Sequence, residues 1–168
     1  MGEEIRLAMH TAVARPRPLM AYASAASDIS PNTTATLTPP STIEDDIRQA
    51  HQRLVSLGEL EANWDSYGAV PPARRSLLAA SRLIDWVATV AGPWYGAHAL
   101  PQEIVPFPDG GVELEWSRPG KLVAVEIGQS GKMNYMVKTG QGRGAKYQEK
   151  ANASWPGVLM AIVEVLAT

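Results

Sequence analysis

Cysteine is missing from all 168 residues, which removes disulfide frameworks, thiolate zinc sites and cysteine nucleophiles together. Long apolar runs are missing as well: none approaches the roughly 18 residues that a membrane span needs. The N-terminal residues lack the basic start followed by an apolar block that marks a secretory signal. Net charge is small, −2, so no global field draws the chain to nucleic acid or to an acidic membrane, and such binding needs a local patch. These absences lead to the expectation of a cytoplasmic protein with no membrane partner.

Sequence patterns for catalysis are equally thin. His10, His51 and His98 have no companions at metal-ligand spacing, so no metal site is expected. The glycine-rich stretch near the C-terminus closes without Gly-Lys-Ser/Thr, which fails the P-loop pattern, and no strand, glycine loop and helix follow in the order of a dinucleotide site. Gly128-Gln-Ser130-Gly131-Lys132 lacks the final glycine of a nucleophile elbow and joins two strands. No cofactor is expected.

An alternating core remains. Apolar content is 45% and charged content 19%, the balance of a globular chain with room for one domain. Asp109-Gly110 takes positive φ readily and alternating residues flank it, a hairpin signal. Arg118-Pro119-Gly120 turns the chain again, into a run that sets Val123, Val125 and Ile127 on one face. The pattern predicts four strands, 103–107, 112–117, 121–127 and 133–138, in meander order. Pro106 cannot donate to a ladder and places the first of them at an edge.

Helices flank this meander. Ser41-Thr-Ile-Glu44 reads as a capping box, followed by Ile43, Ile47, Ala50, Leu54 and Leu57 at helical spacing and a stop at Gly58. A second helix is expected over 72–91, ended by Gly92-Pro93, and a third after Ser154, with Val158, Leu159, Ile162, Val163 and Leu166 facing inward. Residues 1–40, rich in Ala, Ser, Thr and Pro, bury too little to offset ordering entropy and read as a flexible tail that can fold on a partner. The expected architecture is therefore α+β: residues 41–168 form one domain, a four-stranded antiparallel meander with two N-terminal helices and one C-terminal helix on one face.

Three local features invite a functional reading. Trp64, Asp65 and Tyr67 sit in one connection with Gly68. They are either a binding loop or a helix-corner plug in which Asp65 closes an Asx turn. Glu113 and Glu115 alternate with Val112, Leu114 and Trp116, so they face away from the core with Glu126, Leu122, Ala124, Asn134 and Met136. That mixed acidic and apolar surface suits a protein partner, or, with Asp65, a small carboxylate-dependent hydrolase. Arg143, Lys146 and Lys150 in the glycine-rich stretch 138–150 are either a solvated loop or, with Arg15 and Arg17, a contact for a nucleic-acid backbone.

Asn63-Trp-Asp-Ser-Tyr-Gly-Ala69 followed by Pro71, and Pro106-x-Pro108-Asp-Gly-Gly111-Val-x-Leu-Glu-Trp116 with a Leu-x-x-Glu-Ile strand after it, together resemble a widespread group of small, uncharacterised bacterial proteins. The group carries W-D-x-Y-G-A and P-D-G-G-x-x-L-E-W elements, and the likeness covers about residues 43–138. The resemblance implies no catalytic residue. It implies a partner-binding accessory protein of small bacterial gene clusters, including mobile and toxin–antitoxin-like ones. The expected function is a non-enzymatic interaction module, an antitoxin-like or accessory subunit of a defence or mobile-element system. Its partner is another protein encoded nearby, contacted through Trp64, Asp65, Tyr67, Glu113, Glu115, Leu122 and Met136. Nucleic acid enters either through that partner or through the basic stretch.

Overall fold

The computed structural model describes residues 42–167; the expected tail at 1–40 lies outside them, as do Arg15 and Arg17. The first helix, α1, spans Ile43–Gly58. Its cap is Thr42 rather than Ser41: the Thr42 hydroxyl accepts from the Asp45 amide at 3.3 Å, and the Thr42 amide donates to Asp45 Oδ2 at 3.2 Å. This is the same reciprocal device one residue later, with the shorter Asp in place of Glu. Arg48 donates to the other oxygen of Asp45 at 2.7 Å.

Helix α2 runs Arg74–Tyr95 and includes Pro93, so Gly92-Pro93 does not end it. Gly92 has a packing role instead. A Cβ there would lie 2.9 Å from Ile43 Cδ1, and the bare backbone lets α1 approach. Proline forfeits one ladder bond, which the last turn tolerates, and Gly96, at φ +56°, closes the helix one turn later. A 3₁₀ turn, Gly96–Ala99, leads to the sheet.

The sheet has five antiparallel strands in meander order: β1 Glu103–Pro106, β2 Val112–Arg118, β3 Lys121–Ile127, β4 Met133–Thr139 and β5 Lys146–Ala153. Four were expected. The fifth comes from the stretch read as a solvated loop, of which only the 140–145 segment connects strands. Nearly every residue of β5 is exposed, so no buried face imposes the period-two pattern by which strands are recognised. Pro106 does lie on an edge strand.

Helix α3, Trp155–Leu166, is capped by Ser154, whose hydroxyl accepts from the Gly157 amide at 3.3 Å. Its buried stripe is Val158, Ala161, Ile162, Val165 and Leu166; Val165, not Val163, completes it. All three helices share one core with Ile104, Val112, Leu114, Trp116, Val123, Val125, Ile127, Met133 and Val137 of the sheet. Contacts run from α1 to β1, from α2 to β2 and β3, and from α3 to β2, β3 and β4. Among the described residues no helix lies over the opposite face, and none is long and apolar enough to cross a membrane.

Candidate interaction surface

The Trp64–Tyr67 connection is held mainly by its own hydrogen bonds. Asp65 Oδ1 accepts from the amides of Tyr67 at 2.8 Å and Ala69 at 3.0 Å. Asn63 Oδ1 accepts from Gly68 at 2.7 Å, and Asn63 donates to the Ala69 carbonyl at 2.7 Å. Three left-handed residues, Asn63, Ser66 and Gly68, wind the chain tightly enough for this. Trp64 Nε1 donates to the Val70 carbonyl at 3.2 Å. Asp65 and Trp64 thus have structural roles, while Tyr67 projects from the locked loop with 93% of its surface exposed.

The same loop is fastened to the β1–β2 connection. The Val70 amide donates to Pro108 O at 2.9 Å and the Ala73 amide to Gly110 O at 2.8 Å. Ser76, fully buried, directs its hydroxyl between the carbonyls of Ala73 at 2.7 Å and Gly110 at 3.0 Å. The two motifs that stood out in the sequence are one structural unit.

Amide donation from Tyr67, then from Ala69, holds the Asp65 carboxyl below the usual carboxylate range. The Arg48 guanidinium and the capping Thr42 do the same for Asp45. A carboxyl depressed in the fold adds stability above its unfolded pKa, about 3.9, and loses it as pH falls through the folded value. Thermal midpoints should therefore decline below about pH 4. Asp65→Asn, which keeps an acceptor oxygen but takes up no proton, should make that decline shallower. Superimposable pH profiles would show that Asp65 is not linked to folding.

On the open sheet face, register places Glu113 directly opposite Glu126, and Glu103 opposite Glu115. Ala124 and Met136 pair across β3 and β4, with Leu122 beside Lys138 in the next row. Glu113, Glu115, Leu122 and Met136 are half-buried, so four of the residues expected to bind a partner do share one surface. The Trp64–Tyr67 loop meets the sheet at the β1–β2 turn. A shallow concavity of about 530 Å³ on this face is lined by Glu113, Ala124, Glu126, Met136 and Glu149, among others.

Acid–base chemistry finds little here. Asp65 is poised opposite to a general acid, which requires a raised pKa. Among the described residues no acidic or histidine cluster is arranged to hold a metal ion. Arg143 lies in a 3₁₀ turn, Gly142–Gly144, while Lys146 and Lys150 are spread along β5. They do not converge into a phosphate cradle.

One constellation was not legible beforehand. His51 Nε2 lies 2.8 Å from Asp85 Oδ1, and Ser81 Oγ lies 3.2 Å from His51 Nδ1. Ser81 and Asp85 are one turn apart on α2, and that i,i+4 pair opposite a histidine was the available signal. A carboxylate only accepts, so Nε2 carries a proton, and in the neutral ring Nδ1 accepts from the serine. This links the residue types of a hydrolytic triad, but in mid-helix, where neighbouring amides are committed to the α2 ladder and none is left for an oxyanion. It serves as a polar clamp between α1 and α2.

No protein-family model matches the chain, and neither a curated protein nor a solved structure matches it significantly.

Proposed function

We propose that this protein is a non-enzymatic bacterial interaction module, an antitoxin-like or accessory subunit that works in the cytoplasm by docking on another protein. The observation that carries the reading is the open sheet face, where half-buried Leu122 and Met136 lie among glutamates with no helix of the described residues over them. Apolar side chains on an uncovered face gain from burial against a partner. Tyr67 adds support, because an exposed aromatic ring on a rigid loop costs little entropy to immobilise. The motif pair resembles a group of small, uncharacterised bacterial proteins, and the accessory role that this resemblance implies points the same way.

The test is co-expression with the product of the neighbouring gene, followed by gel filtration. The wild type should co-elute with it, and the double variant Leu122→Asp/Met136→Asp, checked for folding by circular dichroism, should separate from it. A protein that elutes alone in such trials and turns over a small substrate overturns the proposal.

A further inference from the structure

We infer that the end of the sheet carrying the β2–β3 turn and the β4–β5 connection binds single-stranded nucleic acid, holding phosphates on a rim of cations and stacking a base on Tyr147. The inference goes beyond the docking reading and concerns the rim of the sheet rather than its glutamate-lined face.

The first argument is where charge falls. Residues 117–122 and 138–147 contain no Asp or Glu, yet hold Arg118, Lys121, Lys138, Arg143 and Lys146, five of the chain's 15 Lys and Arg. Strand pairing gathers them. Arg118 stands opposite Lys121, Lys121 opposite Thr139, and Thr139 opposite Lys146, so one row crosses β2, β3, β4 and β5. At the usual spacing of neighbouring strands the row is about 14 Å long. Lys138 precedes Thr139 on β4, and Arg143 lies in the 3₁₀ turn between β4 and β5. The Gly140 amide donates to Gly120 O at 2.7 Å, which holds the two turns side by side. Lys150, opposite Tyr135, stands apart from this row. The β2–β3 turn, not Lys150, completes the basic site.

The second argument is that these charges lack acidic partners. Among the described residues the ion pairs are Arg48 with Asp45 and His51 with Asp85, and no carboxylate pairs with the rim. Lys121 Nζ reaches a backbone oxygen, Glu164 O, at 3.4 Å. Lys138 Nζ lies 6.0 Å from the centre of the Tyr147 ring. Like charges directly opposite, as at Arg118 and Lys121, destabilise an antiparallel pair. A polyanion relieves that repulsion and releases its own counterions as it binds.

Shape and an aromatic ring narrow the class. A concavity of about 220 Å³ opens between the two turns, lined by Arg118, Lys121, Lys138, Gly120 and Gly140 among others. A Cβ at Gly120 would meet nothing within 4 Å, so a phosphate can approach the backbone there. Tyr147 stands opposite Lys138 with 62% of its surface exposed. A basic track beside an exposed ring is how single strands are held, phosphates on the cations and a base on the ring. An acidic peptide has no base for the ring, and a duplex keeps its base faces inside the stack.

The test is fluorescence anisotropy of the full chain with a labelled single strand of about 12 nucleotides, within the usual site size of one small domain. The same sequence as a duplex, a Glu-rich peptide and phosphatidylserine vesicles are the competitors. The single strand should bind most tightly of the four, and less tightly as salt rises. Arg118→Gln/Arg143→Gln/Lys146→Gln, with an unchanged circular dichroism spectrum, should bind it about tenfold or more weakly and with a shallower salt dependence. Removing three exposed arginines elsewhere, Arg53→Gln/Arg74→Gln/Arg82→Gln, should leave the affinity within about threefold. Tyr147→Ser should weaken binding about fivefold or more and leave the salt dependence unchanged. No binding of the single strand at low salt, tighter binding of the duplex, peptide or vesicles, equal losses in the two triple variants, or undiminished binding by Tyr147→Ser each overturns the inference. None of these variants alters Leu122 or Met136, so co-elution with the neighbouring gene product judges the docking reading separately.

Discussion

Replacing Trp116 with alanine is expected to lower stability by about 3–5 kcal/mol, the usual cost of removing a buried Trp or Phe ring from a packed core. Trp116 is fully buried at the centre of β2, opposite Val123. Its Nε1 donates to the carbonyl of Ala99 at 2.8 Å, which ties the 3₁₀ turn after α2 to the sheet. The substitution leaves a cavity and strips a buried carbonyl of its partner. Trp116→Phe separates the two effects: most of the ring remains, and leaving Ala99 O unsatisfied costs about 1–3 kcal/mol. Urea unfolding of the three proteins measures both. Since small domains are stable by only about 5–15 kcal/mol, the alanine variant should lose between about a fifth and all of that margin. An unshifted midpoint for Trp116→Ala would refute the central place given to this ring.

The alternation that buries Trp116 could be read before any coordinates, because a sheet with one covered face stamps period two on its sequence. Val112, Leu114, Val123, Val125 and Ile127 carry that stamp, and β2, β3 and β4 lie within a residue of where it puts them. Strand β5 carries no such mark because neither of its faces is buried. Backbone pairing to β4 forms it, and pairing leaves no trace in side-chain type. Gly92-Pro93 misled for a different reason. Its glycine answers to Ile43 of another helix, and local propensity yields to that tertiary demand.

The candidate surface divides along the same line. That Glu113, Glu115, Leu122 and Met136 share a face follows from alternation and was legible. That Glu113 stands against Glu126 and Glu103 against Glu115 depends on register, which the turns set and the sequence only suggests. The clamp of Ser81, His51 and Asp85 joins residues 30 and 34 positions apart; the i,i+4 spacing of Ser81 and Asp85 marks one half of it, and only helix-to-helix placement brings in His51. Asp65 does close an Asx turn, with two amide donors on one oxygen, while Tyr67 stands out from the helix corner instead of plugging it.

The bond between the W-D loop and the sheet should fail most sharply when Gly110 and Gly111 are both replaced by alanine. Gly110 has φ +86°, where a side chain costs about 1–2 kcal/mol, and a Cβ there would lie 3.2 Å from Pro71 O. At Gly111 a Cβ would lie 2.9 Å from Ile127 O on β3. That neighbour is backbone, so the hairpin itself must shift, at the roughly 1–3 kcal/mol typical of overpacking. If the two costs add, the loss is about 2–5 kcal/mol. The displaced atoms matter beyond the total. Gly110 O receives both the Ala73 amide and the Ser76 hydroxyl, and Asp109, which takes the Gly111 amide at 2.9 Å, also accepts from Gln129 through its carbonyl. Displacing this corner should therefore free the start of α2 and the loop before it while the centre of the sheet stays paired. Hydrogen exchange should show faster exchange at Val70 and Ala73 than at Val123 or Val125, together with a lower urea midpoint. Uniform loss of protection across loop and sheet would mean that the two glycines support the whole core rather than the joint between the two motifs.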